Sequence, residues 1–307
     1  MRISHGLTPL ASPHAVTIGN FDGLHRGHQA MLGKLRQEAK DRGLPSCVLT
    51  FEPHPREFFT PDQAPTRLTS LGEKAALIAA AGIDRLHILR FTRELAGLSA
   101  EEFVTRALIQ TLGARYVLVG DDFRFGRQRG GDFSLLHRLG FHLGFVAEAL
   151  PTVRVADNRA SSTAVRQALI AGDLTQASSL LGRPYSISGR VVHGNKLGRG
   201  MGFPTANIQL RHNRPPLLGI FAVEVWGIDA LPLPGAASLG VRPTVHEHGR
   251  ATLEVFLLDY QGNLYGRKLR VDFLKKLRDE EKYPDLDSLI AQIQRDVNNA
   301  KHYFDNR

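Results

Sequence analysis

Two histidines, His25 and His28, stand three residues apart in the segment AVTIGNFDGLHRGHQ, residues 15–29. The apolar start of this segment predicts a buried strand, its glycines predict a loop, and the apolar spacing beyond predicts a helix ending at Gly43. The N-terminus of such a helix favours a phosphate, because its N–H groups are unpaired and its dipole end is positive. Imidazoles on one face of the first turn could donate hydrogen bonds to polyphosphate oxygens. Two surface histidines are the alternative interpretation, but the strand, the loop and Asp22 favour a phosphate site.

The elements that must position this pair alternate regularly through the first half of the chain. Further strands are predicted at 46–51, 84–91, 115–120 and 145–150, and further helices at 70–82, 99–113, 132–140 and 163–172. This alternation predicts a Rossmann-like parallel sheet with helices on both faces. Ligands of such sheets bind beyond the carboxyl ends of the strands, which is where each motif of this half is expected.

The pattern changes after the Arg183-Pro184 pair. Short β-prone runs separated by Gly and Pro occupy residues 185–193, 208–210, 221–226, 237–239, 253–259 and 269–273. Such runs predict a closed barrel, and apolar residues at four-residue spacing predict a final helix over 287–303. The predicted fold is therefore α/β, with one domain at residues 1–182 and a β-barrel domain with a terminal helix at 183–307.

Composition limits the class of protein. The chain has 307 residues, 42% hydrophobic and 22% charged, which is typical of a globular protein of about two domains. No apolar run is long enough for a membrane span or a secretory signal. The single cysteine, Cys47, excludes an internal disulfide and a cysteine-rich zinc site. These features predict a cytoplasmic protein.

The net charge of +9 is spread evenly along the chain. Residues 1–182 carry 21 Lys and Arg against 17 Asp and Glu, and residues 183–307 carry 18 against 13. No block of like charges or basic arm stands out. Small anionic substrates explain the surplus, and nucleic-acid binding is a minor alternative.

The first motif after a strand is Phe51-Glu52-Pro53-His54-Pro55, followed by Phe58 and Phe59. Two prolines stiffen the backbone, and the aromatic side chains offer flat faces to a planar ring. A proline-stiffened loop with its aromatics in the core is an equal alternative on this pattern alone.

The second motif is GDDFRFG, residues 120–126. Its paired acids, Asp121 and Asp122, could hold Mg²⁺ or a ribose hydroxyl, and a solvated acidic turn is the alternative.

The third motif is RASSTAVR, residues 159–166, at a predicted helix start. Hydroxyl side chains at an N-terminus can contact phosphate, although a simple N-cap is a common alternative. The flanking Arg159 and Arg166 could add charge-assisted bonds and favour phosphate.

The second half has its own candidates. In Pro204-Thr205-Ala206-Asn207, two oxygen-bearing side chains two residues apart would share one face of a strand, and both are hard ligands suited to Mg²⁺. Glu254 lies within the β-prone run LEVFLLD, where a carboxylate on an apolar face suggests a general base or a satisfied structural Glu. The run Arg278-Asp279-Glu280-Glu281 is typical of a solvated helix surface.

Several strings resemble known families. GNFDGLHRGHQ resembles the H-x-G-H signature of nucleotidyltransferases, and more narrowly the adenylyltransferase half of bacterial bifunctional riboflavin kinase/FMN adenylyltransferases, the FAD synthetases. GDDFRFG and RASSTAVR are similar to two further motifs of that half. Five strings in the second half of the chain resemble the riboflavin kinase half of that family: GRVVHGNKLGRGMGFPTANI, GVRPT, LEVFLLDY, LYG and LRDEEKY. The likeness covers nearly the whole chain, with the motifs in the family's order.

The resemblance implies a role for each matching residue. The catalytic residues are His25, His28 and Glu254. The ATP-binding residues are Gly19, Phe21, Asp22, His25, His28, Asp122, Arg159, Ser162, Thr163, Arg166, Gly198, Thr205 and Asn207. The flavin-binding residues are Phe51, Pro53, Pro55, Phe59, Phe125 and Arg278, where Arg278 reaches the phosphate of the product. Thr205 and Asn207 hold Mg²⁺, and Asp122 contacts either the nucleotide or a metal. One position departs from the family pattern, because Phe256 stands where many members have His.

The implied activity is a pair of reactions. The C-terminal barrel would phosphorylate riboflavin with ATP to give FMN, and the N-terminal domain would transfer an adenylyl group from ATP to FMN, giving FAD and pyrophosphate. The expected partners are riboflavin, FMN and ATP, with no nucleic acid or membrane, and a weak homo-oligomer is allowed. Two alternatives stay open: a single-function nucleotidyltransferase with an accessory β domain, and a non-catalytic flavin- or nucleic-acid-binding protein.

Overall fold

A computed structural model describes residues 1–156, 158–194, 202–210, 214–242 and 250–307. The chain forms two compact units. The first unit contains residues 1–65 and 71–161, and the second contains residues 66–70 and 162–307. No helix among the described residues combines the length and apolar character that crossing a membrane requires.

The first unit is built on a parallel sheet with strand order β1-β4-β3-β2-β5-β6. Its strands are β1 (Arg2–His5), β2 (His14–Ile18), β3 (Ser46–Glu52), β4 (Arg85–Arg90), β5 (Ala114–Gly120) and β6 (Val146–Leu150). Strands β3 and β4 are added on one side of β2, and β5 and β6 are added on its other side. Strands β2 and β5 therefore lie side by side at the centre of the sheet. The carboxyl ends of β2 and β5 therefore open at the point where open α/β sheets bind ligands.

Helices cover both faces of this sheet, as predicted. They are α1 (Arg26–Asp41), α2 (Pro55–Phe59), α3 (Leu71–Ala80), α4 (Arg93–Gly97), α5 (Ala100–Phe103) and α6 (Phe133–Leu143). Shorter elements are a π-helix at Val104–Thr111 continuing α5, 3-10 turns at Pro61–Gln63 and Arg127–Arg129, and the two-stranded ribbon β7 (Arg154–Val155) with β8 (Asn158–Arg159). Alternate residues of β5 enter two separate cores: Tyr116 and Leu118 pack with α1, and Val117 and Val119 pack with α5 and α6.

The second unit begins with two helices, α7 (Ser162–Ile170) and α8 (Leu174–Leu181), and continues as a closed antiparallel barrel. The barrel order is β10-β13-β12-β11-β14-β9. Its strands are β9 (Tyr185–Val192), β10 (Ala206–Ile208), β11 (Gly219–Trp226), β12 (Leu233–Arg242), β13 (Arg250–Leu257) and β14 (Lys268–Arg278). A terminal helix, α9 (Leu286–Asp305), packs on β11, β12 and β14. The predicted barrel with a final helix is therefore confirmed.

The two faces of the barrel wall differ in character. Along β13, Leu253, Val255 and Leu257 are buried, whereas Glu254 and Phe256 are only half-buried on the opposite face. Phe256 packs in the small apolar cluster that includes Val297 and Ala300 of α9. Glu254 therefore lies on the outer face of the wall, beside the surface that the terminal helix covers.

Candidate active sites

The loop between β2 and α1 has an unusual backbone. Phe21, Gly23 and Leu24 adopt positive φ angles of 48°, 79° and 43°, a region that non-glycine residues rarely occupy. The side chains of Phe21 and Leu24 are buried in the core under α1, and this packing holds the strained backbone in place. Such strain is concentrated at functional sites, and here it sets the point at which α1 begins.

The two histidines are stacked at the start of α1. His25 is the N-cap residue, and its Nδ1 accepts a hydrogen bond from the backbone N–H of His28 at 3.4 Å. The ring centroids of His25 and His28 are 3.7 Å apart, and Phe21 lies 4.9 Å from the His28 ring. Because Nδ1 of His25 is an acceptor here, Nε2 of this ring carries the proton and can donate to an anion. The structure thus brings His25, His28 and Phe21 together.

His28 is held in its neutral form. Burial lowers the pKa of His28 well below its usual value, and the nearby His25 and Lys74 lower the pKa further. Among the described residues, the buried Nδ1 of His28 has no hydrogen-bond partner in the protein. A buried polar atom without a partner is rare, and a ligand that binds here would supply one.

Gly27 leaves little room for a side chain because the protein packs closely around it. A Cβ at this position would lie 3.2 Å from the backbone oxygen of Ala160 and 3.2 Å from the His25 ring. Gly27 therefore allows α1 to pack closely against the segment after β8.

The paired acids after β5 have separate roles. Asp121 accepts hydrogen bonds from the backbone N–H and the hydroxyl of Thr152, at 2.9 and 3.1 Å, so it closes its own turn. Asp122 forms an ion pair with Arg159 at 2.5 Å, and both side chains are more than half exposed. Two predicted ATP-binding residues from different motifs are therefore in direct contact and accessible.

An aromatic cavity of about 260 Å³ lies beyond β3. It is lined by Phe51, Phe59, Phe91, Leu95, Ala96, Phe103 and residues 126–129. The structure thus brings Phe51 and Phe59 together, and Phe125 lies behind them, with its ring 5.9 Å from that of Phe103. Pro53 and Pro55 are not among the lining residues: Pro53 follows β3, and Pro55 opens α2.

The sequence interpretation missed one wall of this cavity. Gln128 and Arg129 have positive φ angles of 54° and 60°, and Arg127 donates its backbone N–H to the carbonyl of Leu98 at 2.7 Å. Gly126 has a φ of 72°, and a Cβ there would lie 2.7 Å from the Cα of Ala100. Within the GDDFRFG motif, Gly126 is the residue that indicates this close approach.

The third motif opens α7, in the second unit. Ser162 is the first residue of the helix, and Thr163 is exposed. Arg166 donates from Nε to the backbone oxygen of Thr66 at 2.6 Å. The roles of Ser162, Thr163 and Arg166 in binding ATP stay predictions.

A row of polar side chains crosses three strands of the barrel. Asn207 of β10 lies directly opposite Glu254 of β13, and Glu254 lies directly opposite Ser238 of β12. Opposite residues of neighbouring strands present their side chains on the same face. Thr205 donates from its hydroxyl to Oε2 of Glu254 at 3.4 Å. The structure thus brings together Thr205, Asn207 and Glu254, which come from two distant parts of the sequence.

A larger cleft of about 570 Å³ adjoins Thr205. Apart from Val191, Pro204 to Ala206, Val255 and Leu257, its wall is residues 260–265, a turn after β13 that the sequence interpretation did not single out. Gly198, another predicted ATP contact, lies outside the described residues.

Arg278 is held by the terminal helix. It donates from Nε and Nη2 to the two carboxylate oxygens of Asp296, at 2.8 and 2.6 Å, and from Nη1 to the backbone oxygen of Asp279. Asp296 is buried and also accepts a bond from Gln292. The hydrogen bond to Asp296 raises the pKa of Arg278. Arg278 ends β14, so the interpretation of this run as a helix surface was wrong.

Comparison with known proteins identifies both halves. A family model described as FAD synthetase matches residues 8–164, and one described as riboflavin kinase matches residues 181–304. A bifunctional riboflavin kinase/FMN adenylyltransferase from Pseudomonas fluorescens is 50% identical over 304 residues, covering 98% of this chain and 97% of the relative. The chain belongs to the bifunctional riboflavin kinase/FMN adenylyltransferase family.

Other members of this bifunctional family show the same relation. The Escherichia coli K12 protein of that name is 50% identical over 289 residues, and the Haemophilus influenzae protein is 43% identical over 290 residues. Each comparison covers 94% of this chain, with 92% and 94% of the relatives. A crystal structure described as a macrolide-efflux protein from Streptococcus pneumoniae matches with a TM-score of 0.81 and 28% identity, over 96% of this chain and 97% of that one. The two family models occur in the order that the motifs predicted.

Proposed function

We propose that the chain catalyses two successive reactions in flavin nucleotide synthesis. The second unit transfers the γ-phosphoryl group of ATP to riboflavin, giving FMN. The first unit transfers the adenylyl group of another ATP to FMN, giving FAD and pyrophosphate. The observation that carries this proposal is membership of the bifunctional family over 98% of the chain. The proposal includes a cytoplasmic location, because both reactions consume ATP.

In the first unit, the N-terminus of α1 supports the adenylyl transfer. The FMN phosphate is ionised at neutral pH and needs no strong base, so catalysis depends on positioning and on donors for the charge on the phosphates. His25 and His28 supply imidazole donors at the N-terminus of α1, where the helix dipole is positive. The low pKa of His28 keeps its ring neutral, so its donor capacity does not change through the physiological range.

The aromatic cavity of the first unit supports a flavin site there. Its volume of about 260 Å³ and the rings of Phe51, Phe59 and Phe91 suit a flat, largely apolar tricycle. Asp122 and Arg159 are proposed to contact the adenine nucleotide, since they form one accessible charged pair.

In the second unit, the polar row on the barrel supports the kinase reaction. Glu254 is proposed to accept the proton of the terminal ribityl hydroxyl as its oxygen attacks the γ-phosphorus. The hydroxyl of Thr205 contacts this carboxylate, so the base and the proposed ATP contact are adjacent. Arg278 is proposed to reach the product's phosphate while Asp296 fixes its direction.

The residues present fit a magnesium ion in this second site. Thr205 offers a hydroxyl oxygen and Asn207 an amide oxygen, which are hard ligands suited to an ion that keeps several waters. Gly194 leaves the space that the Asn207 amide occupies, because a Cβ there would lie 2.5 Å from Cγ of Asn207. Thr205 and Asn207 would therefore hold the ion. When bound, Mg²⁺ neutralises charge on the transferred phosphoryl group.

Two variants test the assignment of one reaction to each unit. His28→Ala should lower FAD formation from FMN by about 10²-fold, the effect of losing a preorganised donor, and leave FMN formation intact. Glu254→Gln should lower FMN formation by about 10²- to 10⁴-fold, the contribution of a general base, and leave FAD formation intact. Each variant is the control for the other, with products from riboflavin, FMN, ATP and Mg²⁺ separated by chromatography. An equal loss of both products in either variant would contradict the proposal.

A further inference from the structure

A second carboxylate lies next to the polar row of the barrel. Glu280 follows β14, and its carboxyl group rests directly on the backbone of Gly240 in β12, where any Cβ would overlap it. The hydroxyl of Ser238 donates to Oε1 of Glu280 at 3.4 Å. Contact with the barrel wall partly removes the carboxyl group from water and raises the pKa of Glu280, although the residue as a whole is exposed.

Ser238 connects this carboxylate to the proposed base. It lies directly opposite Glu254 in the β12–β13 pair, and its hydroxyl contacts Glu280. The outer face of the barrel therefore presents Asn207, Glu254 and Ser238 side by side, and Glu280 contacts this row at Ser238. The proposed phosphoryl acceptor is a polyol, so the hydroxyl that reacts at Glu254 has neighbouring hydroxyls on the same short chain.

Glu280 has acceptor capacity that the protein leaves for a ligand. An ionised carboxylate has about four acceptor positions, and within the described part of the chain the Ser238 hydroxyl is the donor seen at this group. Arg278 is nearby, and its charge opposes the rise in the pKa of Glu280. However, Arg278 directs its N–H groups to Asp296 and to the Asp279 carbonyl. The carboxylate thus stays open on the side that faces solvent.

We propose that Glu280 binds a non-reacting hydroxyl of the ribityl chain and so positions the terminal hydroxyl beside Glu254. This inference rests on the proposed kinase function and adds a positioning residue to the second site. A hydroxyl that donates to a carboxylate forms a short, charge-assisted bond. Two carboxylates that both neighbour Ser238 would hold the flexible chain at two points, which favours the attacking geometry.

The test pairs a variant with a modified acceptor. Glu280→Gln retains the size of the side chain but removes its charge, and Glu281→Gln makes the same change at the neighbouring exposed position. Each protein is assayed for phosphorylation of riboflavin and of a flavin whose five-carbon chain keeps only the terminal hydroxyl. Glu280→Gln should lower kcat/KM for riboflavin by about 10- to 100-fold, the range for a hydrogen bond to a charged group, without changing KM for ATP.

The modified flavin distinguishes positioning from a structural effect. Wild type should use it less well than riboflavin, and Glu280→Gln should use it as well as wild type does, which also shows that the variant is folded. Glu281→Gln should match wild type on both acceptors. An equal loss on both acceptors, or no loss on riboflavin, would overturn the role of Glu280 and leave the kinase proposal standing. Failure of wild type to phosphorylate riboflavin would overturn both.

Discussion

Replacing Asp296 by Asn tests how the terminal helix α9 is held to the barrel. Asp296 accepts two hydrogen bonds from Arg278, at 2.8 and 2.6 Å, and one from Gln292. The side chains of Arg278 and Asp296 are 19% and 7% exposed. The substitution removes the negative charge and leaves the partly buried Arg278 guanidinium without its hydrogen-bonded counter-ion.

The magnitude follows from this burial. Removing one partner of a buried ion pair costs about 3–5 kcal/mol, and the partial exposure of Arg278 places Asp296→Asn near the lower end, at about 3 kcal/mol. For a unit of this size each kcal/mol lowers Tm by about 2–4 °C. The matched control is Asp259→Asn, which breaks a pair with Lys301 on the same helix, where the side chains are 84% and 46% exposed. Its expected cost is below about 1 kcal/mol.

Fluorescence of Trp226 provides the assay, because it is the single tryptophan and lies in β11 of the second unit. Urea unfolding followed at this residue should show a lower midpoint for Asp296→Asn and almost no change for Asp259→Asn. A double variant, Arg278→Met with Asp296→Leu, should recover much of the loss, since no charge is then left unpaired. Equal destabilisation by the two single variants would refute the reasoning.

Four further predictions follow from the same structure. Gly194→Ala should displace the Asn207 amide and lower kcat/KM for ATP in FMN formation by about 10²-fold, with FAD formation from FMN unchanged. Gly126→Ala, at a φ of 72° and 2.7 Å from Ala100, should destabilise the first unit by about 1–3 kcal/mol in calorimetry, whereas Gly130→Ala, at a φ of −68°, should have little effect. Burial lowers the pKa of His14 and of His87. As the pH falls, these two histidines are therefore protonated in the unfolded state before they are protonated in the folded state. Stability of the first unit should be complete above pH 6.5 and fall below it, by up to about 1.4 kcal/mol per pH unit for each histidine until the folded pKa is reached; a flat midpoint from pH 7.5 to 5.5 would contradict this. Burial raises the pKa of Cys47 to about 12, so a thiol reagent at pH 8 should label it only after unfolding, and rapid labelling of the native protein would contradict that.

The sequence predicted most elements because their apolar patterns are strong. The final helix, expected at 287–303, is Leu286–Asp305, and the helix expected from residue 99 begins with a capping box formed by Ser99 and Glu102. Strand β1 was missed because it is four residues long, mostly exposed, and held at the sheet edge by pairing with β4. Helix α2 was interpreted as a stiffened loop, because its N-cap is His54, a residue type that is not favoured there.

The second site could be predicted only in part. Alternation placed Thr205 and Asn207 on one face, but the neighbour of a barrel strand is set by closure of the sheet, not by sequence order. Ser238 belongs to no recognisable motif and gains its position only from pairing with β13. In the sequence, Asp296 is one of several charged residues on an amphipathic helix. It becomes the partner of Arg278 only because β14 ends with Arg278 beside it.

The placement of α7 and α8 has a consequence for dividing the protein. These helices belong to the second compact unit, where α8 packs on β9 and β14, and its Ala177, Leu180 and Leu181 are buried. A fragment that starts at residue 183 would expose this apolar surface to water and should aggregate. We expect autonomous barrel fragments to need the chain from Ser162 onward, because α7 and α8 belong to the same compact unit as the barrel.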